Sequence, residues 1–126
     1  MNRRTDLPLI YACSGCSNVA QLANNAAVAM DRRGLAEMSC ISGVGGGVKS
    51  LVKVACSGRP IIAVDGCLLG CVKQCLNNVN VTPKVYVRLD EQGYRKRYGE
   101  DCSEGDLETV VEQVQIAMAQ AGLDSQ

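Results

Sequence analysis

The sequence has no histidine, no tryptophan and no phenylalanine, and only four tyrosines in 126 residues. Without histidine, imidazole catalysis is impossible and so is an imidazole metal ligand. Without large aromatics, the core must be aliphatic, built from Leu, Ile, Val, Ala and Met. Charge of either sign is also not in excess: Lys plus Arg and Asp plus Glu number 13 each, giving zero formal net charge. That argues against a general nucleic-acid or anionic-membrane binder, which carries a basic excess. No apolar run approaches the ~18–20 residues of a membrane span. The amino-terminal run, residues 7–12, contains Pro8 and falls short of the roughly 7–15 apolar residues of a secretory signal. The reading is a cytoplasmic chain without a membrane partner, in a compartment where thiols stay reduced.

What the sequence has is cysteine, eight in 126 residues. Secreted disulfide scaffolds of that density are short and loop-rich, whereas this chain shows strong regular patterning. Eight reduced thiols call for metal or redox chemistry. The length suits one domain spanning residues 1–126, enough to bury roughly two thirds of the chain's surface.

The pattern alternates. Residues 7–12 read as a buried strand, and 13–18 as a tight turn. A helix over 19–33 has Ser17 or Asn18 as cap and Gly34 as stop. Its inward face, Val19, Ala23, Ala26 and Met30, is small enough to lie close to a sheet. A weaker strand over 36–41 precedes a glycine-rich loop over 42–47, expected to be mobile. A short helix over 48–57, an apolar strand over 60–65, a helix over 67–79 and an alternating strand over 84–89 follow. Ser103 and Asp106 have capping-box spacing before a last helix with Val110, Val111 and Val114 on one stripe.

Such alternation predicts a parallel sheet with helices on both faces. The first and third strands are the most continuously apolar, so they belong at the centre. The prediction is an α/β fold: a small doubly wound, flavodoxin- or Rossmann-like four-stranded sheet of order 2-1-3-4.

Ligands of doubly wound sheets sit outside the carboxyl ends of the strands, at the switch point. Cys13 and Cys16 follow the first strand, Cys40 the second and Cys67 the third. With strands about 4.8 Å apart, these thiols are predicted on one edge. Cys67, Cys71 and Cys75 are spaced four apart, on one face of a helix. Cys67 and Cys75 are two turns apart, roughly 12 Å, too far to share one ion on a regular helix. Cys16 and Cys67 are expected at helix N-termini, where the dipole favours an anion. Cys56 and Cys102 read as peripheral. Crowded thiolates need a cation, and an all-thiolate set selects zinc, Cu(I) or an iron–sulfur cluster.

Three segments carry a family resemblance. Val64-Asp65-Gly66-Cys67 with Cys71, Tyr11-Ala12-Cys13-Ser14-Gly15-Cys16, and Ser39-Cys40-Ile41 resemble the motifs of the DGC-domain family, described as zinc-binding. The resemblance covers residues 9–97. It implies metal binding by Cys13, Cys40, Cys67 and Cys71, with Cys16 and Cys75 as additions of a cysteine-rich branch. It implies no reaction. Asp65 is expected either to accept backbone N–H groups beside Cys67 or to mark a plain Asp-Gly turn.

Two other motifs fail. Gly43-Val44-Gly45-Gly46-Gly47-Val48-Lys49-Ser50 has Val48 where a phosphate-binding loop needs its second glycine. Arg95-Lys96-Arg97 reads as a solvated surface run. The function predicted is therefore a cytoplasmic metal-binding protein, zinc first: a carrier, buffer, sensor or zinc-stabilised module rather than an enzyme. A thiol redox or sulfur-transfer enzyme using Cys13 and Cys16 is the alternative, and an iron–sulfur protein a further one. Two thiols suffice for redox work, and no His or Glu stands beside these cysteines to serve a catalytic zinc.

Overall fold

The computed structural model describes residues 4–123. Four strands, β1 (Leu9–Ala12), β2 (Glu37–Met38), β3 (Ile61–Asp65) and β4 (Val85–Arg88), form one parallel sheet in the order β2-β1-β3-β4. The helices are α1 (Asn18–Arg32), α2 (Ile41–Gly45), α3 (Lys49–Ala55), α4 (Cys71–Asn77) and α5 (Glu104–Gln120). This is the doubly wound α/β architecture expected from the alternating pattern.

β1 and β3 pair in register, Ile10 with Ile62 and Ala12 with Val64. Every residue of both strands is buried, which is why they read as continuous apolar runs. Burial of Ile10, Ile62 and Leu9 stabilises the fold by roughly 1.5–3 kcal/mol each. β4 buries only Val85 and Val87, as an edge strand with one wet face does. β2 is two residues long and buries a charged side chain. Its Glu37 pairs with Arg59 at 2.9 Å, and Arg59 also donates to the Leu7 carbonyl at 2.7 Å.

α1 packs on the central strands and on α5. Its small inward residues, with Val19, Ala23, Ala26 and Met30 all fully buried, permit that close approach. Ser17 is the N-cap, its hydroxyl accepting the Ala20 N–H at 3.1 Å. The capping box of Ser103 and Asp106 starts α5 as its spacing predicts.

Two elements depart from the sequence reading. The segment expected as a mobile glycine loop contains α2, packed against α3 and α4. Its glycines serve contact rather than freedom. A Cβ on Gly43 would overlap the Leu51 side chain, and one on Gly45 would lie 2.9 Å from the Cys75 sulfur. The helix expected from residue 67 begins only at Cys71. Cys67 instead opens a turn closed by the Gly70 N–H on the Cys67 carbonyl at 3.2 Å, with Gly70 left-handed at φ 62°. Cys67 therefore does not share a helical face with Cys71 and Cys75.

A four-thiol cavity at the carboxyl edge of the sheet

The edge is assembled where β1 and β3 end side by side. Cys13, the residue after β1, donates its N–H to the Val64 carbonyl at 3.1 Å. Its buried sulfur accepts the Gly66 N–H at 3.2 Å. Gly66 can stand there because it has no side chain. A Cβ would sit 2.8 Å from the Val19 carbonyl carbon and 2.9 Å from its oxygen, inside the backbone of α1.

Asp65 fixes the other side of the turn. Its carboxylate, 1% exposed, accepts the Val72 N–H at 2.9 Å, the Lys73 N–H at 3.2 Å and the Tyr86 hydroxyl at 2.8 Å. The N-cap residue of α4 is Gly70, which has no capping side chain. Asp65 supplies the missing acceptor from β3 and so sets where Cys71 begins the helix. The Tyr86 phenol is pushed well above its ordinary value by burial and then by the Asp65 hydrogen bond. The three residues of Asp65-Gly66-Cys67 thus play separate parts. Asp65 is the acceptor for α4, Gly66 allows close passage over α1, and Cys67 brings the thiol.

The third wall comes from the run expected to be solvated. Asn18 clamps it. Its side-chain amide donates to the Arg95 carbonyl at 2.9 Å and accepts the Arg97 N–H at 2.6 Å, and its own N–H donates to the Arg97 carbonyl at 2.9 Å. Lys96 is thereby turned inward. Its Nζ lies 3.6 Å from the Cys67 sulfur and 5.2 Å from the centroid of the Tyr98 ring.

Together these segments enclose a cavity of about 180 Å³ lined by Cys13, Cys16, Cys67 and Cys71, with Asp65, Lys96 and Tyr98 among its other walls. Of the six thiols singled out from the sequence, the structure gathers these four. Cys40 and Cys75 are not on the cavity wall. Cys40 is the exposed N-cap of α2, with its sulfur 3.1 Å from the Ser42 hydroxyl. Cys75, one helical turn after Cys71 on α4, lies against Gly45 of α2. Cys56 and Cys102 also lie off this wall. All eight cysteines are free thiols.

Electrostatics distinguish them. Burial pushes the Cys13 thiol up to about 11, against the opposing Gly66 hydrogen bond, and Asp65 adds to the rise. Burial raises Cys75 too, with Cys71 adding to it. Cys40 is lowered, first by the Ser42 hydroxyl and then by the Gly43 N–H. The Cys13 shift has a stability consequence. Its ordinary value is 9.0, so folding favours the protonated thiol. That contribution is complete below pH 9 and is lost as the pH rises through 11. We expect urea denaturation of the chelator-treated chain to show stability falling across this window, on the order of 3 kcal/mol from this group. Cys75 and Tyr86 are shifted in the same sense, so Cys13→Ala should flatten the fall without abolishing it. An unchanged slope in that variant would remove Cys13 as a source.

Four cysteines around one cavity are the donor type that zinc or Cu(I) selects. As the side chains stand, no three Cys, Asp or Glu among the described residues are grouped closely enough to hold an ion together. The thiols line a shared space rather than a closed cage. Sequence reasoning missed Asn18, Lys96 and Tyr86. Asn18 reads locally as a helix cap, and its partners lie 77 and 79 positions away. Tyr86 carried only the alternation of β4.

Residues 9–114 match the model of the DGC domain. A relative from Pseudomonas aeruginosa, the anaerobic and virulence modulator AnvM, is 56% identical over 116 residues, covering 92% of this chain and 88% of the relative. No solved structure matches. Among the described residues, no helix is long and apolar enough to cross a membrane. With the match running from β1 into α5, and with Asp65, Gly66 and Cys67 each placed to build the cavity wall, this chain belongs to the DGC-domain family.

Proposed function

We propose that this protein is a regulatory metal-binding module of the cytoplasm, holding a soft ion, zinc first, through Cys13, Cys16, Cys67 and Cys71. One observation carries the reading: these four cysteines line a single cavity at the carboxyl edge of a parallel sheet, where such folds bind their ligands. The set differs from the one implied by the resemblance, with Cys16 in place of Cys40. The cation would supply the charge that lets several thiols ionise side by side. The chain's own part is placement. Asp65 holds the start of α4, Gly66 brings the turn onto Cys13, and Asn18 holds Lys96 over the opening. The regulatory half of the proposal is carried over from the relative, described as an anaerobic and virulence modulator. We assign no catalytic step. Against a Cys13/Cys16 redox enzyme stands the burial of Cys13, whose raised thiol is a poor nucleophile at neutral pH.

The test is anaerobic purification, metal analysis and an absorption spectrum, followed by competition with a chromogenic chelator. We expect a colourless protein with one zinc. Losing a ligand should exceed the roughly 10–100-fold cost of losing a ligand's supporting partner, so Cys67→Ser and Cys16→Ser should weaken binding by more than that. Cys102→Ser and Cys40→Ser should stay near wild type. A brown protein containing iron and sulfide would replace zinc by a cluster. Failure to take up any metal would sink the proposal, and an equal loss in Cys40→Ser and Cys16→Ser would overturn the ligand set.

A further inference from the structure

The cavity wall carries a second kind of chemistry that needs no ion. Among the described residues, Lys96 is the only cation lining it, and its ammonium is 3.6 Å from the Cys67 sulfur. Cys67 is half-buried, reachable from the cavity yet shielded from bulk solvent. Oxidation-sensing cysteines sit in such electropositive, partly exposed surroundings, beside a resolving thiol. The resolving thiol is chosen by the turn. Gly70 N–H bonds the Cys67 carbonyl at 3.2 Å, and the ends of a hydrogen-bonded turn lie within about 7 Å. Cys71 follows directly. A disulfide needs Cα atoms roughly 4.4–6.8 Å apart, so the link requires Cys71, one residue past the turn, to close onto Cys67. The tip of the turn is solvent-exposed, with Leu68 and Leu69 74% and 66% exposed, and left-handed Gly70 joins it to α4. Cys71 is exposed, whereas Cys13 is buried and its sulfur already holds the Gly66 N–H.

We propose that Cys67 is an oxidation site for hydrogen peroxide and that Cys71 resolves it to a disulfide across this turn. In the first step the Cys67 sulfur attacks one peroxide oxygen. The S–O bond forms, the O–O bond breaks, and the departing hydroxide leaves as water with the thiol proton. In the second step the Cys71 sulfur attacks the Cys67 sulfur. The S–S bond forms, the S–O bond breaks, and hydroxide again leaves as water with the Cys71 proton. Two thiols are oxidised to one disulfide, and one peroxide is reduced to two waters. Lys96 is a positioning residue, its charge facing the Cys67 sulfur and the departing hydroxide.

The inference goes beyond the metal reading, and its test is run on the full chain treated with chelator, so either can fail without the other. The chain is exposed to limiting hydrogen peroxide, remaining thiols are alkylated, and the cysteines are mapped by peptide mass. The first product should be a Cys67–Cys71 link, reversible by dithiothreitol. Cys71→Ser should instead accumulate a Cys67 sulfenic acid that dimedone traps. Lys96→Met, which keeps the stem beside Tyr98, should slow Cys67 oxidation severalfold, and Lys96→Arg should restore it. First oxidation at Cys40, or a first disulfide between Cys13 and Cys16 or between Cys67 and Cys16, would overturn the assignment. So would an unchanged rate in Lys96→Met.

Discussion

Gly66→Ala should be among the most damaging single substitutions in this protein, although it adds one methyl group. The new Cβ would fall 2.8 Å from the Val19 carbonyl carbon and 3.0 Å from the Ala20 nitrogen. Both are backbone atoms of the first turn of α1, so no side-chain rotation relieves the contact. The end of β3 and α1 must separate, and both are fully buried there. Overpacking of this kind costs typically 1–3 kcal/mol and sometimes more; against backbone we expect about 3 kcal/mol. For a chain of this size that lowers the thermal midpoint by on the order of 10 °C. The separation also stretches the Gly66 N–H from the Cys13 sulfur, so cavity and fold should fail together. Gly105→Ala is the matched control. Gly105 lies in the first turn of α5, where an added Cβ meets only the Ser103 hydroxyl at an ordinary 3.6 Å. Replacing a helical glycine there should stabilise by about 0.5–1 kcal/mol. Scanning calorimetry of both variants gives the answer. A Gly66→Ala midpoint within about 2 °C of wild type would show that β3 and α1 are not held as closely as described.

Asp65→Ala should cost a comparable amount by a different route. The substitution fills no space and removes three accepted hydrogen bonds at once. A hydrogen bond contributes about 0.5–1.5 kcal/mol net, and a buried donor left without a partner costs about 1–3 kcal/mol. The Val72 N–H is buried; Lys73 and the Tyr86 hydroxyl regain some water. We therefore expect a loss of about 3 kcal/mol in urea denaturation. The damage should centre on α4, a seven-residue helix whose N-cap is glycine. Tyr86→Phe removes only the third of these bonds and should cost about 1 kcal/mol. Combined with Asp65→Ala it should cost almost nothing further, because the partner is already gone. Additive losses would show that Tyr86 stabilises through packing and not through Asp65. Hydrogen exchange at Val72 and Lys73 supplies the local reading: both amides should lose protection in Asp65→Ala while β1 keeps its own.

Much of this architecture follows from local pattern. Leu9–Ala12 and Ile61–Asp65 are apolar almost without interruption, and a parallel strand buried on both faces must be. That continuity alone places them at the centre and puts Cys13 and Cys67 beyond their carboxyl ends. Ser17, Ser103 and Asp106 mark helix starts because a cap acts within three residues of itself. Nothing in the chain's local pattern separates Cys16 from Cys40. Each follows a strand and precedes a helix, and only the direction in which each loop leaves the sheet sends one to the cavity wall and the other to the tip of α2. The same holds for glycine. Gly43 and Gly45 read as freedom in isolation, but α2 needs them as surfaces against Leu51 and Cys75. Arg95-Lys96-Arg97 reads as solvated until Asn18, far away in sequence, takes its backbone and turns Lys96 onto the Cys67 sulfur. Hydrophobic periodicity and capping are short-range and are written along the chain. Which side chains share a cavity depends on contacts between distant segments, and those exist only once the sheet has brought β1, β3 and the 95–98 strap together.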